Sequence, residues 1–201
     1  LNDLMSYKNI DVYVTGSNSK MLSKDIVTNF RDRGSEIMVF PLSFAEYYSV
    51  SDLDKIDALE EYMMYGGMPL SVIEKDESEK KKYLLSLHNN VFLKDIVERY
   101  NLKDDVLLSS LIDILYSSVG SLTNTHKLAN TAESMMKVKS SDNTIKKYID
   151  YLEDAFLFRS SKRYDVKGKR YFGTNLKYYA TDVGLRNAKL NFRQYERSHI
   201  M

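Results

Sequence analysis

Val12-Tyr13-Val14-Thr15-Gly16-Ser17-Asn18-Ser19 and, further on, Val39-Phe40-Pro41-Leu42-Ser43-Phe44-Ala45-Glu46-Tyr47-Tyr48 decide how this chain is read. Val12–Val14 and Ile37–Phe40 have the short apolar composition of buried strands. The first opens into a small polar loop, where open α/β sheets place groups that face a bound phosphate. Yet no G-x-x-x-x-G-K-[ST] occurs in the chain, so the residues that would cradle that phosphate are missing. The stretch reads as the second half of a nucleotide site. Pro41 ends the second strand, and Ser43 with Glu46 forms a capping-box pattern for a helix from Phe44 to Tyr48.

Composition narrows the rest. The 201 residues are 43% hydrophobic, enough for a packed core in one large domain or two small ones. A net charge of +1 gives no global field toward nucleic acid or membrane, so only local charge can point to a partner. The absence of cysteine excludes disulfides, zinc thiolates and cysteine nucleophiles, and fits a cytoplasmic protein. No apolar run reaches membrane-spanning length, so no membrane partner is expected. His88, His126 and His199 form no ligand-spaced pair and read as surface or half-buried residues, so no metal site is expected. Glu60-Glu61 and Asp104-Asp105 are adjacent in sequence and would not face one another on a helix, which leaves no carboxylate pair for catalysis.

Periodicity supplies the helices. Ser51-Asp52 should open one, with Leu53, Ile56, Leu59, Tyr62 and Met63 at helical spacing, closed by Gly66-Gly67 and stopped by Pro69. Ser78 to Tyr100 reads as one long helix with Leu84, Leu87, Val91, Phe92 and Ile96 on a stripe, and Glu79-Lys80-Lys81-Lys82 as its solvated first turn. From residue 103 the pattern becomes that of a small winged helix. Leu107 to Leu115 form a first helix closed by Gly120, then come a turn at Ser121–Asn124 and a second helix from Lys127 to Ser134. The Ser140-Ser141-Asp142 cap introduces a third helix, Asn143 to Asp154, which buries Ile145, Tyr148, Ile149 and Leu152. Strand-like Phe156–Tyr164 and Leu176–Thr181 follow, with Val166–Arg170 at the tip between them.

That β-ribbon concentrates charge. Arg159, Lys162, Arg163, Lys167, Lys169, Arg170 and Lys177 stand against one acid, Asp165. Concentrated positive charge suits a phosphate backbone. The third helix adds Asn143, Thr144, Lys146, Lys147 and Tyr151 on its outward face, a composition suited to a major groove. Asp150, Glu153 and Asp154 would repel phosphate, so such a helix would dock by its first two turns. DNA contact, a protein or interdomain contact, and a soluble hairpin with lysine-protected edges all remain open on these residues.

TGSNSKMLSKDI, FRDRG and FPLSFAEYY together resemble the back half of the ATPase domain in a group of bacterial and archaeal AAA-type ATPases. Gly66-Gly67-Met68-Pro69 resembles a phrase of that family's helical lid. Asp182-Val183-Gly184-Leu185 resembles the segment leading from its winged helix to a C-terminal domain of the DUF4143 kind. The resemblance implies that Ser17 and Asn18 sense the γ-phosphate of ATP held with Mg²⁺ in the whole protein, and that Arg33 responds to it. It implies a P-loop ahead of Leu1 and a nuclease-like core after Met201. This chain by itself should then bind no cofactor and hydrolyse no ATP. Asp182 reads as a helix cap or turn residue.

The expected fold is mainly α with small β parts. Residues 1–48 would be the remnant of an ATPase α/β domain, 49–102 a helical lid, 103–181 a winged helix and 182–201 the start of a linker. In the family's sheet the P-loop strand lies between Val12–Val14 and Ile37–Phe40. Without it, these strands should pair directly, pair across a dimer, or stay partly unformed. The competing reading is a non-enzymatic winged-helix DNA-binding or adaptor protein.

Overall fold

The computed structural model describes residues 7, 9–15, 35, 37–102, 105–137, 139–165 and 170–193. The first helix among the described residues, α1 (Phe44–Ser49), starts where the sequence places it: Ser43 Oγ accepts from the Glu46 amide, and the Glu46 carboxylate accepts from the Ser43 amide. α2 (Lys55–Tyr65) opens at Asp54, whose carboxylate accepts from the Ile56 and Asp57 amides. Asp54 caps two exposed amides, so it sets the start later than Ser51-Asp52. Gly66 ends α2 with φ +71°. Pro69 opens a short helix, α3 (Pro69–Ile73), because a fixed φ and a missing N–H suit a first helical position.

α4 (Glu77–Ser86) passes through a π-helical segment, Leu87–Leu93, into α5 (Lys94–Arg99). The expected single helix is therefore continuous but underwound by the π turn. Regular α geometry would put Leu84 and Ile96 roughly 120° apart around the axis. One extra residue in the π turn brings them to within roughly 20°, and both are fully buried. Val91, expected on the stripe, is rotated out to solvent. Lys80 was expected in a solvated turn, but it is buried and pairs with Glu61 of α2. His88 is also buried, not superficial: it stands four residues after Leu84 and so shares that buried face.

The second half begins with α6 (Asp105–Ser117), followed by β1 (Leu122–Thr123), α7 (Thr125–Met136), α8 (Asp142–Asp154), β2 (Phe158–Asp165), β3 (Arg170–Ala180) and α9 (Val183–Lys189). Residues 122–123, expected as a turn, form a short strand because β3 offers them a ladder at Leu122↔Lys177 and Thr123↔Leu176. The antiparallel sheet runs β1-β3-β2. β3 starts well before the expected Leu176, since the ribbon stays paired out to Asp165↔Arg170 across an irregularity at Lys162/Arg163. Ile145, Tyr148, Ile149 and Leu152 are all buried as the spacing requires, against Leu108, Leu111, Ile112, Leu115 and Phe158. Among the described residues the chain is mainly helical with this one small sheet.

Val12–Val14 and Ile37–Phe40 are not strands. A strand needs a neighbour to receive its N–H and C=O groups. Neither stretch has one among the described residues, and the apolar side chains face outward: Tyr13 is 84% exposed, Ile37 76% and Val39 90%.

Candidate nucleic-acid interface

Ser141 fixes the start of α8 by accepting from the Thr144 amide. With the apolar stripe sealed, Asn143, Lys146 and Lys147 are exposed on the opposite side and Thr144 is half-buried. Tyr151, expected on that outward face, instead stacks on Tyr100 at 3.6 Å between ring centres. The basic outward surface of α8 thus lies in its first two turns, and Asp150 is exposed beyond it.

The ribbon register divides the basic residues. Phe158, Ser160 and Lys162 share the face that carries the buried Tyr178, while Arg159 and Ser161 share the other with Lys177 and Tyr179. Arg159 and Lys177 are exposed together on that outer face, and Lys162 is exposed on the face that α8 packs against. Glu153 of α8 accepts from the Ser160 amide at 2.8 Å, a hydrogen bond that occupies an N–H of β2. Arg170 opens β3 opposite Asp165. Lys167 and Lys169, and the nucleotide-sensing candidates Ser17, Asn18 and Arg33, lie outside the described residues.

Two phrases that the sequence set apart meet in space. Asp182 caps α9 by accepting from the Leu185 amide at 2.9 Å, and its other oxygen accepts from the Gly67 amide at 2.8 Å. Burial raises the Asp182 carboxyl, and the amides of Gly67, Leu185 and Gly184 oppose that shift. Asn187 donates to the Met63 and Met64 carbonyls at the end of α2, and Arg186 Nε donates to the Tyr116 carbonyl of α6. Lys189 reaches Ser109 and Asp113 on α6. A Cβ on Gly184 would stand 2.0 Å from the Tyr65 carbonyl oxygen, and one on Gly67 2.0 Å from that of Leu42. Asp182 is therefore a structural cap, and the two phrases form a close-packed joint. No local pattern in either phrase signals that the two would touch.

Among the described residues no cluster of His, Cys, Asp or Glu could hold a metal ion. An open cleft of about 520 Å³ lies between α4 and the end of α9, where Glu77 and Lys81 pair with one another beside Ser78, Asn191 and the apolar Leu85 and Phe192.

Comparison with known proteins matches two stretches of the chain. A family model described as "AAA domain" matches residues 1–48. A second, described as "Domain of unknown function (DUF8612)", matches residues 56–196. The chain belongs to the DUF8612 family. The family of this region is thus DUF8612 and not DUF4143, and its match takes in the helical and β-ribbon region. An uncharacterized protein of Haemophilus influenzae is 41% identical over 191 residues, which cover 92% of this chain and 47% of that protein. An uncharacterized protein of Methanocaldococcus jannaschii is 28% identical over 194 residues, covering 90% of this chain and 43% of that protein. The chain thus spans about half the length of the curated relatives it matches. The match at 1–48 supports an AAA-type, ATPase-like region, and the DUF8612 segment holds the joint, α8 and the ribbon. No helix among the described residues is long and apolar enough to cross a membrane.

Proposed function

We propose that this chain is part of an AAA-type ATPase and that its DUF8612 segment is a winged-helix module that contacts nucleic acid. The observation that carries this reading is α8: a sealed apolar face, an exposed Asn143/Lys146/Lys147 face confined to its first two turns, and a basic ribbon directly after it. A helix whose N-terminal residues are exposed can enter a major groove while a ribbon follows the backbone. The element order, with the last strand central in a three-stranded sheet, suits a winged helix. In the whole protein, ATP with Mg²⁺ would be the cofactor. Ser17 and Asn18 would sense the γ-phosphate, and Arg33 would respond to it within one subunit or across a homo-oligomer interface. This chain carries no P-loop motif, and by itself it would act as the output end.

A protein-contact module is the second reading. The observation that favours it is the acidic second half of α8, where Asp150 is exposed and Glu153 is already committed to Ser160.

A labelled duplex titrated at two salt concentrations separates the two. Three to five phosphate contacts predict an affinity loss of about 50- to 500-fold between roughly 50 and 200 mM salt. Lys146→Ala with Lys147→Ala should weaken binding, and Lys167→Ala, Lys169→Ala and Arg170→Ala together should flatten the salt dependence. Binding that ignores salt and both sets of substitutions would overturn the nucleic-acid reading in favour of the protein-contact one.

A further inference from the structure

Phe40 lies in the AAA-matched stretch and Arg159 in the DUF8612 stretch, yet the guanidinium of Arg159 sits 4.7 Å from the centre of the Phe40 ring. A cation over an aromatic face at this distance is held by the ring quadrupole. The ring is presented by a stiff, anchored segment. Pro41 restricts Phe40 to extended backbone. Two residues on, the Leu42 amide donates to the Gly67 carbonyl at 2.8 Å, and Tyr62 Oη donates to the Leu42 carbonyl at 2.8 Å. Phe40 is thus tied to the lid helix α2 and to the Gly66-Gly67 turn, while its ring reaches β2. Arg159 shares the outer ribbon face with Lys177, diagonal neighbours in the register; the side chain stays exposed, but the ring restrains its guanidinium, which when released would offer a fork of N–H donors beside a second cation.

We propose that Phe40 masks Arg159, so that the AAA-matched segment holds this guanidinium off nucleic acid until the ring withdraws. The proposal rests on the nucleic-acid reading above and adds a regulated contact to it. It gives the 37–43 segment a direct effect on the output surface, because any displacement of that segment frees one phosphate ligand.

The test compares duplex binding by the wild-type chain with Phe40→Ala, Phe40→Leu, Arg159→Ala and the Phe40→Ala/Arg159→Ala double variant. Phe40→Leu keeps apolar bulk without the π face, and circular dichroism checks that each variant folds. Both Phe40 variants should bind about 2- to 5-fold more tightly at low salt, with a log–log salt slope steeper by about 0.9, the counterion release of one phosphate contact. Arg159→Ala should erase the difference. The chain has no tryptophan, so Phe40→Trp supplies a single reporter whose emission should change as duplex is added, and should not change when Arg159 is also Ala. If wild type binds but the Phe40 variants bind equally or more weakly, masking is wrong while the nucleic-acid reading stands. If Phe40→Ala still tightens binding without Arg159, masking of that residue is likewise overturned. If no variant binds duplex, both readings fall together. Binding gained only by the Phe40 variants supports masking directly.

Discussion

His88 shows how much one buried side chain can store. Its Nδ1 faces Asn89 Oδ1 at 3.2 Å, its ring lies 5.9 Å from that of Tyr116, and neither its Nε2 nor Tyr116 Oη has a hydrogen-bond partner. Burial pushes the imidazole down to about 4, with the Asn89 contact opposing and the Lys189 charge reinforcing the shift. An unfolded histidine titrates near 6.5. The folded pKa is therefore the lower one, and between those values the unfolded chain binds the proton first. Stability is full above about pH 6.5 and falls as pH drops toward 4, by an amount on the order of 3 kcal/mol from this group. His88→Phe keeps the ring and removes the titration. In urea unfolding from pH 7 to pH 4.5, wild type should lose ground to His88→Phe steadily as the pH drops. A constant gap would mean that His88 takes its proton equally in both states.

At the scale of elements, the π segment sets the register of the α4–α5 helix. Because it contributes one residue too many, removing one there should restore plain α geometry at modest cost. Deleting exposed Asn90 should destabilise the chain less than deleting Lys82, which lies in regular α4 and would rotate Leu84 off the core. Comparable losses in urea midpoint for the two deletions would contradict this account. The same segment marks where sequence reading stopped. Stripes of constant period were legible: α8 buries the four residues its spacing names, and the Ser43–Glu46 box is present with both bonds. A π turn breaks the period without a composition signal, so Val91 falls on the solvent side of its stripe, whereas the buried side of His88 was legible from its place four residues after Leu84. The two expected strands failed for another reason. Apolar composition shows that a stretch can pair, whereas pairing itself depends on a neighbour that no local pattern encodes. On the candidate interface, the basic residues were legible but their division between ribbon faces was not, since that division needs the register.

For the molecule as a whole, the α9 joint is the fastening between α2 and the unit built on α6, α8 and the sheet. Its tolerance is set by glycines that cannot carry a side chain. Gly184→Ala would drive a Cβ into the Tyr65 carbonyl, and overpacking of this kind should cost about 3 kcal/mol or more. Gly120→Ala is the control. Its φ of +73° brings strain of about 1–2 kcal/mol, but its Cβ would meet only Tyr179 at 3.6 Å. Gly184→Ala should therefore lower the unfolding midpoint clearly more than Gly120→Ala. Equal effects would show that the two phrases do not bear on one another.

The strand order carries one more consequence, for how the chain reaches this state. β3 is last in sequence yet central in the sheet, so β1 and β2 have no shared partner until it emerges. Its contacts with β1 span most of the second half of the chain, and closing so long a loop is slow. During synthesis α6, α7 and α8 can collapse first, while the edges of β1 and β2 wait unpaired. Arrival of β3 is then the committing step of folding, and until that moment the nascent chain is most exposed to aggregation.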